Sequence, residues 1–335
     1  FPPWIRQLRS RKAERAPEEF LAAAREGLAD CWAAGVTTVG DTGDTGAAIE
    51  ALSASGGCGI AYQEVFGPHP AQCEESLGGL QRRVEALARF VGERVAVGVS
   101  PHAPYTVSGR LYAATAAWAE EEALPVAVHL AESPAETELL ARGEGGFAEA
   151  WRERGIPHPA PLGCSPVQWL GRHGVLGERT LCIHLVQVAP VDIELLSDAG
   201  VAVAHCPLSN RAHGHGTAPL GALLSAGLRV GLGTDSVVSV GTLDLLAEAR
   251  MAAALGGLDA RAALALCTIS GARALGLGRE VGSLQVGKWG DCAVIRPGRA
   301  TEGMVPEARV LSGGPRDIVA TFVGGKAVHR GEPMS

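Results

Sequence analysis

Residues 180–233 read TLCIHLVQVAPVDIELLSDAGVAVAHCPLSNRAHGHGTAPLGALLSAGLRVGLG. This stretch alternates short apolar runs with helical segments, and the runs predict strands because they are apolar almost throughout. The predicted strands are Thr180–His184, Val201–His205 and Arg229–Gly233, with helices at Val191–Ala199 and Pro219–Ala226 between them. Such strands, separated by helices, are typical of a parallel sheet that is covered on both faces.

The same unit of strand and helix recurs towards the N-terminus. A helix is predicted from Pro17 to Gly35, because proline and two acidic residues suit its first turn. Four more strands are predicted, at Val36–Val39, Ile60–Phe66, Val95–Val99 and Val126–Leu130. Further helices are predicted at about Cys73–Val91 and Ser108–Ala123.

The number of strands decides between two architectures. Seven strands, each followed by a helix or by room for one, over roughly 250 residues favour a (β/α)8 TIM-type barrel. A doubly wound open sheet is the alternative. It is disfavoured because no Gly-rich phosphate loop follows an early strand.

Two regions are predicted along the chain. Residues 1–280 are predicted to form the barrel, with its first strand missing, and residues 281–335 to hold the C-terminal strands of a small β-sandwich domain, at Gly282–Ile295 and Asp317–His329. The stretch Gly143–Cys164 interrupts the strand and helix unit and is rich in Gly, Pro and Arg. It is interpreted as a surface excursion or lid, with a disordered loop as the equal alternative.

Composition narrows the class of protein. The 335-residue chain is 47% apolar and 19% charged, which permits a large buried core and argues against disorder. Its net charge is −7 and no basic stripe is interleaved with aromatic residues, so no nucleic-acid partner is expected. No apolar stretch reaches the roughly 18 residues of a membrane helix, so no membrane partner is expected. Eight scattered cysteines without a Cys-x-x-Cys pair indicate a reduced, cytoplasmic chain.

Polar residues lie at or just after the ends of nearly all the predicted strands. Barrel enzymes build their sites from the carboxyl ends of several strands, so these residues form the candidate site. They are Asp41, Glu64, His102, His129, Glu132, His184, His205 and Asp235. One strand-end histidine is more often structural, but four of them at four strand ends favour a functional site.

The types of residue in this set point to metal chemistry. Imidazole nitrogen and carboxylate oxygen are the usual ligands of a catalytic zinc that keeps one position open for water. His129 is a candidate ligand, with Glu132 as an acid/base carboxylate beside it. Asp235 is a candidate ligand or base. His184 is placed to hydrogen-bond the water and the developing charge.

Three further residues are candidates for contact with a substrate. Glu64 is interpreted either as a group that holds a ribose or an amine or as a structural acid at a strand end. Asn210 follows a strand end and is interpreted as a substrate contact or as an organiser of its loop. His205, at the end of its own strand, is included with the substrate-binding candidates.

Five segments of the chain resemble the amidohydrolase superfamily. The resemblance is narrower to its mononuclear deaminase branch, which includes methylthioadenosine/adenosylhomocysteine deaminases, guanine deaminases, triazine chlorohydrolases and aminofutalosine deaminases. It extends over about residues 1–329. The segments are SPHAPYTVS (100–108), HLAE (129–132), HCPLSN (205–210), GLGTD (231–235) and GSLQVGKWGD (282–291).

The resemblance implies a role for each matching residue. His129 and Asp235 would bind one divalent metal, with zinc expected first and Fe2+ or Mn2+ as alternatives. Glu132 would move a proton between the activated water and the departing nitrogen. His184 would hold the water or the oxyanion, and His102 would contact the substrate.

The sequence also departs from parts of this superfamily. No lysine lies between Lys12 and Lys288, which excludes the members that bridge two metals with a carboxylated lysine. The family takes two more metal ligands from a His-x-His pair on its first strand, and this chain has no such pair there. The pair that it does have, at residues 213–215, is interpreted as a feature of a substrate loop or as plain surface. We therefore expect an N-terminally truncated version of a longer enzyme, and a closed eight-stranded barrel made by this chain would contradict that expectation.

The leading hypothesis is a metal-dependent hydrolytic deaminase of an aminated heterocycle or nucleoside. The expected substrate is a small adenine-like molecule, with an aminofutalosine as the more specific expectation, and a homodimer is left open. A chlorohydrolase or guanine deaminase with the same machinery is the alternative within enzymes. A catalytically inactive barrel or a binding protein is the alternative of another class.

Overall fold

The predicted parallel sheet is present in the computed structural model, which describes residues 2–157, 162–297 and 302–331. Seven parallel strands lie side by side in chain order. They are β1 (Val39–Gly43), β2 (Gly59–Val65), β3 (Val95–Pro101), β4 (Val126–Leu130), β5 (Thr180–His184), β6 (Ala202–His205) and β7 (Arg229–Leu232). Within the described residues β1 and β7 are the two edges of this sheet, so these residues form no closed eight-stranded barrel.

Helices follow the strands and cover the sheet. In chain order they are α1 (Pro2–Ala13), α2 (Pro17–Ala33), α3 (Ala47–Ser55), α4 (Cys73–Leu87), α5 (Gly109–Glu121), α6 (Pro134–Arg142), α7 (Gly145–Glu153), α8 (Pro166–Arg172), α9 (Pro190–Asp198), α10 (Pro207–Ala212), α11 (Leu220–Ser225), α12 (Val237–Val240), α13 (Leu245–Gly256), α14 (Ala260–Cys267), α15 (Ile269–Ala274) and α16 (Pro306–Leu311). Several begin at a Ser or Asp whose side chain accepts a backbone N–H of the first turn, as at Ser108, Ser133 and Asp259. Among the described residues, every helix is too short or too polar to cross a lipid bilayer.

The first strand lies later in the chain than predicted. It begins at Val39 and not at Val36, because the N–H of Val36 still donates to the carbonyl of Cys31 at the end of α2 (2.8 Å). Hydrogen bonding with β2 starts only at Val39. Asp41, predicted to lie just after the end of this strand, is therefore inside it.

The stretch predicted as a lid or a disordered loop contains a packed helix. α7 buries Phe147 and Trp151, and the ring of Phe147 stacks on Tyr105 with 4.1 Å between centroids. The indole N–H of Trp151 donates a hydrogen bond to the carbonyl of Tyr105 (2.9 Å). Glycines at both ends of α7 suggested a loop, whereas its apolar side chains share one face and hold it on the barrel. Residues 158–161 of this stretch lie outside the described residues.

Side chains alternate between the two faces of the sheet. Val128 of β4 packs in the apolar core between the sheet and the surrounding helices, together with side chains of those helices. Its neighbour Ala127 packs with Leu181 of β5 in a separate cluster on the inner face of the sheet. His129 has the same parity as Ala127, so the alternation directs its imidazole to the inner face.

A second, antiparallel sheet of three strands follows the barrel helices. Its strands are β8 (Cys292–Ile295), β9 (Ile318–Val323) and β10 (Lys326–Arg330). The β structure predicted for Asp317–His329 is confirmed, whereas only the end of Gly282–Ile295 forms a strand. The Thr321 hydroxyl donates a hydrogen bond to the carbonyl of Trp32 (2.6 Å), which ties this sheet to α2. The domain boundary at residue 280 stays a prediction.

Gly231 lies where β7 and α15 approach closely. A Cβ at this position would lie 2.7 Å from the Cα of Gly271, which is backbone and cannot rotate aside. We expect Gly231→Ala to lower the free energy of unfolding by about 1–3 kcal/mol, because overpacking forces α15 away from the sheet. The matched control is Gly221→Ala in α11, whose new Cβ would meet nothing within 4 Å and which we expect to gain up to about 1 kcal/mol. Urea denaturation measures both, and equal stability of the two variants would contradict this packing.

Candidate active site

Left-handed backbone marks the carboxyl ends of β4, β5 and β7. Ala131 (φ +51°) follows β4, His184 (φ +78°) and Leu185 (φ +50°) end β5, and Asp235 (φ +57°) follows β7. A non-glycine residue in this region costs about 1–3 kcal/mol, and such residues cluster at active sites. The strain therefore coincides with the strand ends at which the sequence predicts the site.

Glu132 lies at the centre of the polar cluster formed by these strand ends. The residue is 3% exposed, and its Oε1 lies 3.2 Å from Nε2 of His215 and 3.6 Å from Nε2 of His184. The hydroxyl of Tyr105 lies 3.5 Å from Oε2. Two imidazoles and a phenol thus surround the carboxylate, and these are groups that hold and exchange protons.

Opposing effects set the charge of Glu132. Burial raises the pKa of its carboxyl, but the neighbouring imidazoles of His184, His215 and His129 outweigh burial and bring the pKa to about 2. A carboxyl with this pKa is ionised at neutral pH. It is therefore in the deprotonated form, which a proton-accepting carboxylate requires.

Glu136 fixes the backbone that carries Glu132. The two oxygens of its buried carboxyl group accept hydrogen bonds from the N–H groups of Ala131 (2.8 Å) and Glu132 (3.0 Å). Burial raises the pKa of Glu136 to about 8, and the backbone N–H groups act in the opposite direction. Sequence reasoning missed this residue because it lies inside α6, where a glutamate is usually solvated.

The ring of His184 is held from behind by Asn210 in α10. Its Nδ1 lies 2.9 Å from Oδ1 of Asn210, so Nδ1–H donates to the amide oxygen and Nε2 faces Glu132. Glu248 in turn accepts the N–H of Leu208 (3.0 Å) in the first turn of α10. Asn210, predicted as a substrate contact or a loop organiser, therefore contacts His184, and contact with a substrate stays a prediction.

Glu64, His102 and His129 are near enough to one another to hold a metal ion. One ligand atom from each lies within 4.8 Å of the others. Burial lowers the pKa of both imidazoles, which favours the neutral form that binds metals. Nδ1 of His102 lies 2.8 Å from the Thr106 hydroxyl, and Nδ1 of His129 lies 3.3 Å from the carbonyl of His102. Because these contacts use Nδ1, the Nε2 atom of each ring is the one that can bind a metal.

Asp235 carries a carboxylate that acts electrostatically on His129, although it is not in the group formed by Glu64, His102 and His129. Its Oδ2 accepts the Ser209 hydroxyl (2.5 Å) and its Oδ1 accepts the N–H of Ser236 (2.6 Å). Burial lowers the pKa of His129 most strongly, and the charge of Asp235 opposes that change, so the two groups lie within electrostatic reach. The donors around His129 are thus of the types that suit a divalent metal.

His205 is fully buried in β6. Neither of its ring nitrogens has a hydrogen-bond partner among the described residues. Burial, together with the nearby His184, lowers the pKa of this imidazole to about 4, so the ring is neutral at neutral pH. Its predicted contact with a substrate stays a prediction.

His215 is a site residue for which the sequence left two interpretations, a substrate loop or plain surface. The structure excludes plain surface for this residue, because His215 is 3% exposed and faces Glu132; a role in a substrate loop stays a prediction. Glycine at 214 and 216 turns the chain back over the strand ends, which buries the imidazole. A histidine between two glycines, shortly after a strand-end motif, is the signal that could have found it.

The comparisons with known proteins identify the family of this chain. The sequence model described as the Amidohydrolase family matches residues 4–328. The aminodeoxyfutalosine deaminase of Deinococcus radiodurans is 34% identical over 267 residues, which are 76% of this chain and 64% of that protein. A 5-methylthioadenosine/S-adenosylhomocysteine deaminase of Thermococcus kodakarensis is 32% identical over 329 residues, 94% of this chain and 73% of that protein. The chain thus spans less than two thirds of the length of the Deinococcus relative.

Solved structures with a similar fold test the predicted fold class. An adenosine deaminase from Xanthomonas campestris with bound zinc has a TM-score of 0.83 at 25% identity, over 97% of this chain and 73% of that one. Atrazine chlorohydrolase from Arthrobacter aurescens, complexed with zinc, has a TM-score of 0.79 at 23% identity, over 98% of this chain and 77% of that one, and shows the fold alone. The predicted TIM-type fold class is confirmed. Because the family model covers almost all of its residues, the chain belongs to the amidohydrolase family.

Proposed function

We propose that this chain carries the barrel of a metal-dependent hydrolytic deaminase that acts on an adenine-like nucleoside. The observation that carries the proposal is the buried, ionised Glu132 carboxylate, which lies between two imidazoles and three residues after His129. Relatives named as deaminases of adenosine derivatives support this reaction class. A binding protein has no chemical need for such a cluster, so we prefer an enzyme.

The proposed metal is zinc, held by His129 and Asp235, with Fe2+ and Mn2+ as alternatives. Imidazole and carboxylate donors support this choice, as does the zinc in the Xanthomonas structure. When bound, the metal supplies Lewis acidity to the site.

The chain's own residues are proposed to move the protons. Deamination adds water to the ring carbon that carries the amine, places one proton on the adjacent ring nitrogen, and places another on the amine, which leaves as ammonia. Glu132 is ionised beforehand, so it can take each proton from the attacking water and deliver it in turn. His184, which Asn210 holds, is proposed to hydrogen-bond the oxygen on which negative charge develops.

Glu64 and His102 are proposed to contact the nucleoside. Burial raises the pKa of Glu64 to about 8, so at neutral pH its carboxyl is largely protonated and can both donate and accept hydrogen bonds. His102 Nε2 lies 3.9 Å from Glu64 Oε1, which places two polar groups together on the inner face. A cytoplasmic location and a homodimer remain proposals.

The test is the release of ammonia from a panel of purines. The panel contains aminodeoxyfutalosine, 5-methylthioadenosine, S-adenosylhomocysteine, adenosine and guanine, with chloride release from a chlorotriazine measured in parallel. We expect kcat/KM for at least one adenosine derivative to exceed that for guanine by about 100-fold or more, because a site built to hydrogen-bond one set of polar groups rejects another. Chloride release without ammonia release from any purine would overturn the proposal.

A further inference from the structure

His215 sits on a loop whose backbone is fixed on both sides. Its N–H donates to the carbonyl of Asn210 (2.9 Å), and its own carbonyl accepts a hydrogen bond from the Gln187 side chain (2.6 Å). Gly214 (φ +68°) and Gly216 (φ +108°) supply the backbone conformations that this path requires. The loop therefore presents the imidazole in one direction.

The imidazole of His215 is packed as well as buried. The ring of His213 stacks on it with 5.4 Å between centroids and 21° between planes. Trp4 of α1 packs edge-on against His213 at 4.7 Å. Two aromatic layers thus lie behind His215, and its Nε2 faces Glu132 at 3.2 Å.

Both imidazoles beside Glu132 approach the same carboxylate oxygen. His215 lies 3.2 Å and His184 3.6 Å from Oε1, whereas Oε2 has the Tyr105 hydroxyl at 3.5 Å. The shorter of the two imidazole contacts belongs to the loop residue. Oε1 is therefore the anchored oxygen, and Oε2 is left to exchange protons.

We propose that His215 is a positioning residue, which anchors Oε1 of Glu132 so that the ionised carboxylate presents Oε2 to the substrate. The contact between His215 and Glu132 follows from the loop geometry. Its effect on catalysis rests on the proposed deaminase function. His184, which Asn210 holds, contacts Oε1 from β5. A single contact of this kind still allows the carboxylate to rotate about it. The second contact to Oε1, from His215, restricts that rotation.

The charged and titratable groups that face Glu132 come from several elements. They are His102 and Tyr105 from the segment after β3, His129 from β4, His184 from β5, Cys206 after β6, Glu136 from α6, and His213 and His215 from the loop after α10. Burial raises the pKa of Glu132, and the imidazoles of His184, His129 and His215 lower it by more. Loss of His215 therefore raises the pKa of Glu132, and the acid limb of activity moves to higher pH.

The kinetic test compares three variants. In His215→Leu we expect kcat to fall about 10- to 100-fold, KM to stay within about twofold, and the acid limb of kcat/KM to move up in pH. His215→Gln, whose Nε2 can reach the position of the imidazole Nε2, should recover most of kcat. His173→Leu, next to α8, is the matched control and should behave like the parent protein. A fall in kcat without a shift of the acid limb and without rescue by glutamine would show a merely structural role and overturn the proposal.

A second readout does not need turnover. In protein labelled with 13C at the glutamate carboxyls, the Glu132 resonance is the one that disappears in Glu132→Gln. It should not titrate above about pH 4 in the parent protein, because its pKa is about 2, and it should titrate at higher pH in His215→Leu. An unchanged titration in a folded His215→Leu variant would overturn the contact. If the resonance shifts while the parent protein deaminates no purine, the contact holds and the proposed function fails.

Discussion

Glu132→Gln is expected to lower kcat for ammonia release by about 10²- to 10⁴-fold, the contribution of one positioned proton-transfer group. Glutamine has the same shape and can still hydrogen-bond His184 and His215, but an amide neither takes up nor returns a proton at neutral pH. The metal content should not change, because Glu132 is not a proposed ligand. Steady-state kinetics and metal analysis on one preparation measure the two effects separately.

The control for this variant is Glu138→Gln, on α6, which begins two residues after Glu132. Glu138 pairs with Arg142 at 2.9 Å on the surface of α6, and we expect its replacement to leave kcat unchanged. Loss of metal from Glu132→Gln would show that Glu132 is a ligand. Full turnover by that variant would show that another group moves the proton.

Metal affinity is expected to fall by more than about 100-fold in His129→Ala and in Asp235→Asn. Losing only a hydrogen-bond partner of a metal ligand already costs about 10- to 100-fold, and these variants lose a ligand itself. Glu64→Gln should keep its affinity to within about tenfold, because Glu64 is proposed to contact the nucleoside. Competition with a chromophoric chelator measures all three.

The same experiment decides between two ligand sets. Glu64, His102 and His129 already have ligand atoms within 4.8 Å of one another. If Glu64→Gln loses the metal and Asp235→Asn keeps it, the ion is held by that group, and the proposed role of Asp235 is wrong. His173→Ala serves as the control for removal of an imidazole elsewhere.

Most of the sheet could be predicted from sequence for a simple reason. The strands from β2 to β7 are short apolar runs bounded by Gly, Pro or polar residues, and their predicted ends lie within two residues of the observed ones. β1 was misplaced because two of its five residues are polar, with Asp41 and Thr42 inside the strand. α7 was missed because its flanking glycines resemble those of a loop.

Some residues of the candidate site could be found from sequence more easily than others. His129, Glu132 and His184 could be found because each lies at or near the end of an apolar strand, where periodicity locates it. Glu136 and His215 are harder to find, because their roles depend on where a helix or loop folds back in space; for His215 the flanking glycines are the one local signal. Glu136 reaches the N–H of Glu132 from inside α6, and His215 reaches its carboxylate from a loop that follows β6.

The left-handed backbone at Ala131 has a consequence for laboratory evolution. Glycine adopts this conformation without the steric penalty that alanine carries, so a selection for heat tolerance alone should favour Ala131→Gly. Ala131 directly precedes Glu132, and a glycine there gives the carboxylate more freedom of direction. A selection that also demands turnover should reject the same change, so position 131 separates the two selective pressures.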